Sequence, residues 1–95
     1  MQNVYVYFPQ RKVLAHIEGK EGKDAVEYFF SKEEFRRDLC EATRLDDLRV
    51  HEILDSSIRV FRERLQAGYI IELGEMMIYP DLESFLTDVS KDCLN

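Results

Sequence analysis

One stretch constrains this chain more than any other. Over residues 46–79 a long amphipathic run ends at a glycine, and two β-rich runs follow around a second glycine. Val50, Ile53, Leu54, Ile58, Phe61 and Leu65 recur at the three- and four-residue intervals of a helix with one apolar face. Its start falls at Asp46 or Asp47, where a carboxylate satisfies free backbone donors and meets the positive helix end. Gly68 stops it, in the left-handed position that glycine adopts without steric penalty. Tyr69–Leu73 and Met76–Tyr79 then flank Gly74-Glu75, and a glycine first in a two-residue loop suits the type II′ turn of a hairpin. Such an order requires mixed α and β structure.

The flanking segments extend that frame. Ser31 with Glu34 three residues on has the spacing of a capping box, predicting a shorter helix that opens at Ser31 and turns Phe35, Leu39 and Ala42 inward. Asn3–Phe8 alternates, with Val4, Val6 and Phe8 on one side, and Pro9–Lys12 is a polar turn into a second strand, Val13–Ile17. Gly19–Asp24 reads as a flexible connector and Val26–Phe30 as an optional third strand. Pro80-Asp81 breaks the second hairpin and begins a last helix, with Leu82, Phe85, Leu86 and Val89 facing inward. The expected fold is α+β in the order ββ(β)ααββα, one domain over 1–95 with strands in 1–30 ahead of a core in 31–95.

Charge narrows the partners. The net charge is −6, and it is uneven: residues 65–95 carry Lys91 as their only base against six carboxylates. Seven arginines crowd residues 35–64, but seven acids interleave with them. Binding to phosphate depends on neutralising a dense line of negative charge, so the acidic C-terminal third is a poor nucleic-acid surface. No apolar run reaches the length of a membrane span, and MQNVYVYF has neither the basic leader nor the cleavage site of a signal peptide. Cys40 and Cys93 form no CxxC pair and read as reduced, which places the chain in the cytoplasm.

Catalytic signatures are missing. There is no nucleophile elbow, HExxH, P-loop or dinucleotide fingerprint, so no enzyme activity and no cofactor are expected. His51, Glu52 and Asp55 share part of a helix face but read as a solvated flank rather than a metal site. His16 reads as a packed or surface strand residue. Gly19-Lys20-Glu21-Gly22 mimics the loop of an RNA-binding KH domain, but it follows a strand and reads as a turn.

From Lys32 to Leu73 the chain also resembles, without a gap, the HU/IHF family of histone-like DNA-binding proteins. The matching positions are Lys32, Glu34 and Phe35 at the opening, Thr43-Arg44-Leu45 at the corner, and Val50-His51-Glu52-Ile53-Leu54-Asp55 on helix two. They continue through Leu65, Gly68 and Ile71-Glu72-Leu73, and GYIIELGEM looks especially like the divergent HU-like proteins of the Bacteroidetes. Arg44 stands where the family has a glycine, and only a handful of residues separate Tyr79 from the last helix, too few for the family's basic, proline-tipped DNA-binding arms.

The resemblance implies a non-enzymatic, dimeric HU-like module lacking those arms. Weak, non-specific DNA binding is its residual expectation; the contact candidates are Lys32, at the family's basic opening position, and, from the arginine-rich helices themselves, Arg36, Arg37, Arg59 and Arg62. The alternative is a protein–protein interaction module that has lost DNA binding. A homodimer has a physical motive in either case. Ile53, Ser57, Val60, Ile70 and Met77 are the interface candidates, because leaving large apolar side chains in water forfeits about 1.5–3 kcal/mol for each one otherwise buried.

Overall fold

The computed structural model describes residues 2–93, less the side chains of Ala42, Asp92 and Cys93. The alternating N-terminal run forms β1 (Asn3–Phe8), which pairs with β2 (Val13–Glu18) as an antiparallel hairpin. A tight turn follows rather than a flexible connector. Glu21 and Gly22 both take positive φ, and the Lys23 amide donates to the Lys20 carbonyl at 2.9 Å. Gly19 is confined there as well, since a Cβ on it would lie 2.8 Å from the Lys23 carbonyl oxygen.

Val26–Phe30 is helical, which corrects the strand expected there. Asp24 caps α1 (Ala25–Ser31), its carboxylate accepting from the Glu27 amide at 2.9 Å. A short run of aromatic and branched residues fits a strand or a buried helix equally well by periodicity alone, and the cap settles it. Ala25, Val26, Phe29 and Phe30 all face inward from this helix. The capping box read at Ser31 is corrected for the same reason. Ser31 belongs to the last turn of α1, its hydroxyl donating to the Tyr28 carbonyl, and α2 (Glu33–Thr43) opens two residues later behind Lys32 without a side-chain cap.

α3 (Asp47–Gln66) matches the expected helix, capped by Asp46 accepting from the Arg49 amide at 2.7 Å. It buries Val50, Leu54 and Leu65. Its end is a Schellman motif: Gly68 sits at φ 91°, its amide donates to Leu65, and the Tyr69 amide donates to Arg64. That commitment of Tyr69 shortens the next strand, so β3 is Ile71–Leu73 rather than Tyr69–Leu73. Gly74, at φ 61°, turns the chain into β4 (Met76–Tyr79). Asp81 then caps α4 (Leu82–Cys93), accepting from the Ser84 amide at 2.7 Å.

The two hairpins merge. β1 pairs antiparallel with β4 through Tyr5–Tyr79, Val6–Ile78 and Tyr7–Met77, giving one four-stranded sheet in the order β2-β1-β4-β3. The N-terminal strands therefore pair within the chain. One face carries Val4, Val6, Ile17, Ile71 and Ile78 into a core shared with Phe29, Phe30, Phe35, Val50, Leu54 and Leu65 from α1–α3. The other face carries Tyr5, Tyr7, Met77 and Tyr79 by strand alternation. α4 lies on it through Phe85, whose ring is 5.1 Å from Tyr7 and 5.4 Å from Tyr79. The buried Tyr79 hydroxyl donates to Asp88 at 2.7 Å, so its one polar atom is satisfied. Two inward expectations for α4 are corrected: Leu82 and Leu86 are exposed, while Phe85 supplies the ring contacts and Val89 is half-buried. The architecture is α+β in the order ββαααββα, with helices on both faces of an antiparallel sheet.

The corner between α2 and α3 holds a measurable strain. Arg44 ends α2 at φ 60°, ψ 21°, a left-handed conformation that costs a non-glycine residue about 1–2 kcal/mol. Arg44→Gly should therefore stabilise the fold by about 0.5–1 kcal/mol after glycine's larger unfolded-state entropy is deducted. In urea the midpoint should rise at unchanged slope. A lower midpoint would mean that the arginine side chain contributes more than the backbone relief.

Candidate functional site

The five basic residues singled out from the sequence do not assemble one open cationic groove. Arg62 of α3 reaches Asp24, its Nε 2.5 Å from Oδ2 and its Nη2 3.2 Å from Oδ1, and stands 3.7 Å from Glu27. Arg36 donates from Nε to the Phe30 carbonyl at 2.8 Å and from Nη2 to Asp55 at 3.4 Å. Arg37 pairs with Glu33 and Arg59 with Glu63, both within a helical turn. The Lys32 ammonium lies 5.5 Å over the Tyr28 ring. Each guanidinium has a carboxylate partner before any ligand arrives. The open recess beside Arg59 and Arg62 is lined by Glu27 and Asp55 as well, so it presents mixed charge.

Arg62 and Asp24 matter for the fold. Asp24 caps α1 with one oxygen and receives both arms of the guanidinium, so a single carboxylate joins the start of α1 to the C-terminal part of α3. Partial burial alone would push this carboxyl up. The hydrogen bonds from Arg62 and the Glu27 amide, together with the guanidinium charge, outweigh it and hold Asp24 below the usual aspartate value. The hydrogen bond to Asp24 correspondingly raises Arg62. Sequence reasoning missed this pair, although Asp24 and Glu27 have the three-residue spacing that was read as a cap at Ser31 instead.

The interface candidates fall into three places. Ile53 and Val60 are 39% and 46% exposed on one flank of α3, with half-buried Ser57 between them. Arg49 and Arg64 extend that row at helical spacing; Glu52 and Glu63 line the adjoining solvent face, with Glu52 pairing with Arg49 at 3.3 Å, and Asp55 lies on the opposite flank. Ile70 instead borders a recess with Asp81, Glu83, Asp88 and Lys91 along α4. Met77 lies half-buried in the sheet face that α4 partly covers, across from Tyr7. Helix geometry thus unites Ile53, Ser57 and Val60 and separates them from the other two.

Both histidines have local partners. His16 stacks on Tyr5 at 4.8 Å and its Nε2 lies 2.7 Å from Asn3 Oδ1. His51 Nδ1 lies 3.1 Å from the Asp47 carbonyl oxygen. Among the described residues no three His, Cys, Asp or Glu side chains are grouped to hold a metal ion, and no helix is long and apolar enough to cross a membrane. Cys40 is a half-buried free thiol; the Cys93 side chain, read with it as reduced, lies outside the described residues. Compared with protein-family models, with curated proteins and with solved structures, the chain matches none of the three.

Removing the Asp24 carboxylate tests the tie between α1 and α3. Asp24→Ala should lower stability by about 2–3 kcal/mol at neutral pH, through loss of a helix cap and of charge-assisted hydrogen bonds. Asp24→Asn keeps a capping oxygen and should cost less. Because the folded-state pKa is depressed, the ionic contribution is complete above the ordinary aspartate value near about 3.9. It is lost as pH falls through the lower folded value. Urea melts across that range should find the penalty of Asp24→Asn shrinking with acidification; a pH-independent penalty would exclude the ion pair as its source.

Proposed function

We propose that this chain is a non-catalytic, HU-like protein-interaction domain that self-associates through the flank of α3 bearing Ile53, Ser57 and Val60. The observation that carries this reading is the row itself. Two branched apolar side chains stand in water on either side of a small serine, along a helix that buries Val50, Leu54 and Leu65 in the core. A second copy applied about a twofold axis would bury both rows at once, because an isologous contact uses the same patch twice. The serine lets the helix backbones approach.

The geometry supports protein binding over DNA binding. The hairpin between β3 and β4 turns through Gly74-Glu75 alone and projects no arm. Arg36, Arg37, Arg59 and Arg62 each meet a carboxylate, so neutralising phosphate would require breaking those pairs. The HU-like part of the reading is supported by the α2–corner–α3–β3–β4 order and by Arg44. That residue takes the left-handed conformation at the position where the resemblance places a glycine.

Two measurements test it. Ile53→Glu should reduce the sedimenting mass while circular dichroism and melting stay those of a folded chain; an unchanged mass would remove α3 as an interface. Fluorescence anisotropy of a labelled duplex should detect no salt-sensitive binding at low micromolar protein. Binding that weakens steeply with salt and falls on arginine neutralisation would instead establish the DNA-binding reading.

A further inference from the structure

The sheet has two edges, and they differ. β3 is three residues long with exposed Glu72 at its centre, the kind of short, charged edge that resists further pairing. β2 is six residues long, uncharged from Val13 to Ile17, and lies at the opposite edge with Val13 48% and Leu14 36% exposed. A long uncharged edge is a template for another strand.

The register shows which groups β2 offers. The Gly19 amide donates to the Gln2 carbonyl, so Gln2–Gly19 is a hydrogen-bonded pair of the β1–β2 ladder. In an antiparallel ladder such pairs alternate, which directs the backbone groups of Val13, Ala15 and Ile17 toward β1. Those of Leu14, His16 and Glu18 therefore point out of the sheet.

We infer that β2 pairs antiparallel with β2 of a second copy about a twofold axis at Ala15, extending two four-stranded sheets into one of eight strands. Any such seam must oppose outward-directed residues. Of the few registers that do so, the one centred on Ala15 pairs Val13–Ile17 with its copy and sets Leu14 against His16 of the other chain. The same register places the basic Arg11-Lys12 turn of each copy opposite Glu18 of its mate, so the ends of the seam are complementary in charge. The occupant is a second copy because this edge is complementary to itself.

This surface is separate from the α3 flank. Two different isologous contacts on one chain build closed tetramers or open chains rather than dimers. Ala15 provides the direct test. Residues facing each other on the axis would form a non-hydrogen-bonded pair with Cα atoms about 4.5 Å apart, within the roughly 4.4–6.8 Å that a disulfide spans.

Ala15→Cys, oxidised in solution, should yield a dimer linked through residue 15 in both chains by peptide mapping, and Leu14→Cys should not link to itself. Failure of Ala15→Cys to link while folded overturns the seam. Independently, Leu14→Pro removes one outward amide and spares the bonds to β1. In the Ile53→Glu background, the seam predicts a dimer that Leu14→Pro converts to a monomer; a monomer before that second substitution overturns it. A wild-type dimer that survives Ile53→Glu but not Leu14→Pro would retain the seam and reject the α3 interface, so the two proposals fail separately.

Discussion

The pairing of β1 with β4 is the interaction on which the rest of the structure depends. Each hairpin alone would be a two-stranded ribbon, marginal in water. Joined through Tyr5–Tyr7 and Met77–Tyr79, they form a sheet whose two central strands come from opposite ends of the chain. That sheet has one face broad enough to receive the aromatic cluster of Phe29, Phe30, Phe35 and Phe61, whose neighbouring rings lie 4.7–5.5 Å apart. Its second face receives α4 at Phe85. Without the pairing, neither Val6 nor Ile78 would be shielded by the other, and α4 would have only a ribbon to rest on.

Electrostatics then locks the helical layer and limits its chemistry. Asp24 serves α1 and Arg62 together, so the turn after β2, the start of α1 and the C-terminal part of α3 share one carboxylate. Arg36 ties α2 to the end of α1 and to Asp55 in the same manner. Of the seven arginines over residues 35–64, Arg36, Arg37, Arg49, Arg59 and Arg62 thereby enter local pairs. Exposed pairs of this type contribute little individually, and their larger effect is to leave few guanidiniums open to an anionic partner. The open surfaces are apolar or strand-like instead: the α3 flank and the β2 edge.

Sequence reading succeeded where a local signal had no rival. The capped α3, its glycine stop, the β1–β2 hairpin and the Gly74 turn all follow from spacing and from residues with strong conformational preferences, so the α+β class was legible before any tertiary contact was known. It misread Val26–Phe30 because an aromatic run has no decisive period, and it assigned the cap to Ser31 when Asp24 had an equal claim. Four of the five proposed DNA contacts are arginines that residue type alone suggests. Their carboxylate partners are in part distant in sequence, as Asp24 is from Arg62, and no spacing rule reveals such pairs.

The division follows from the range of the forces involved. Helix caps, turns and strand alternation act over a few residues and are written into the chain wherever they occur. Which hairpin joins which, which flank of α3 stays in water and which sheet edge stays open depend on contacts between residues far apart in sequence. Those are fixed by how a limited apolar surface is shared among eight elements. Ile53 and Leu54 illustrate it: adjacent in sequence and equal in hydrophobicity, one lies 39% exposed and the other 2%. Only the packing of α1, α2 and the sheet against one side of α3 separates them.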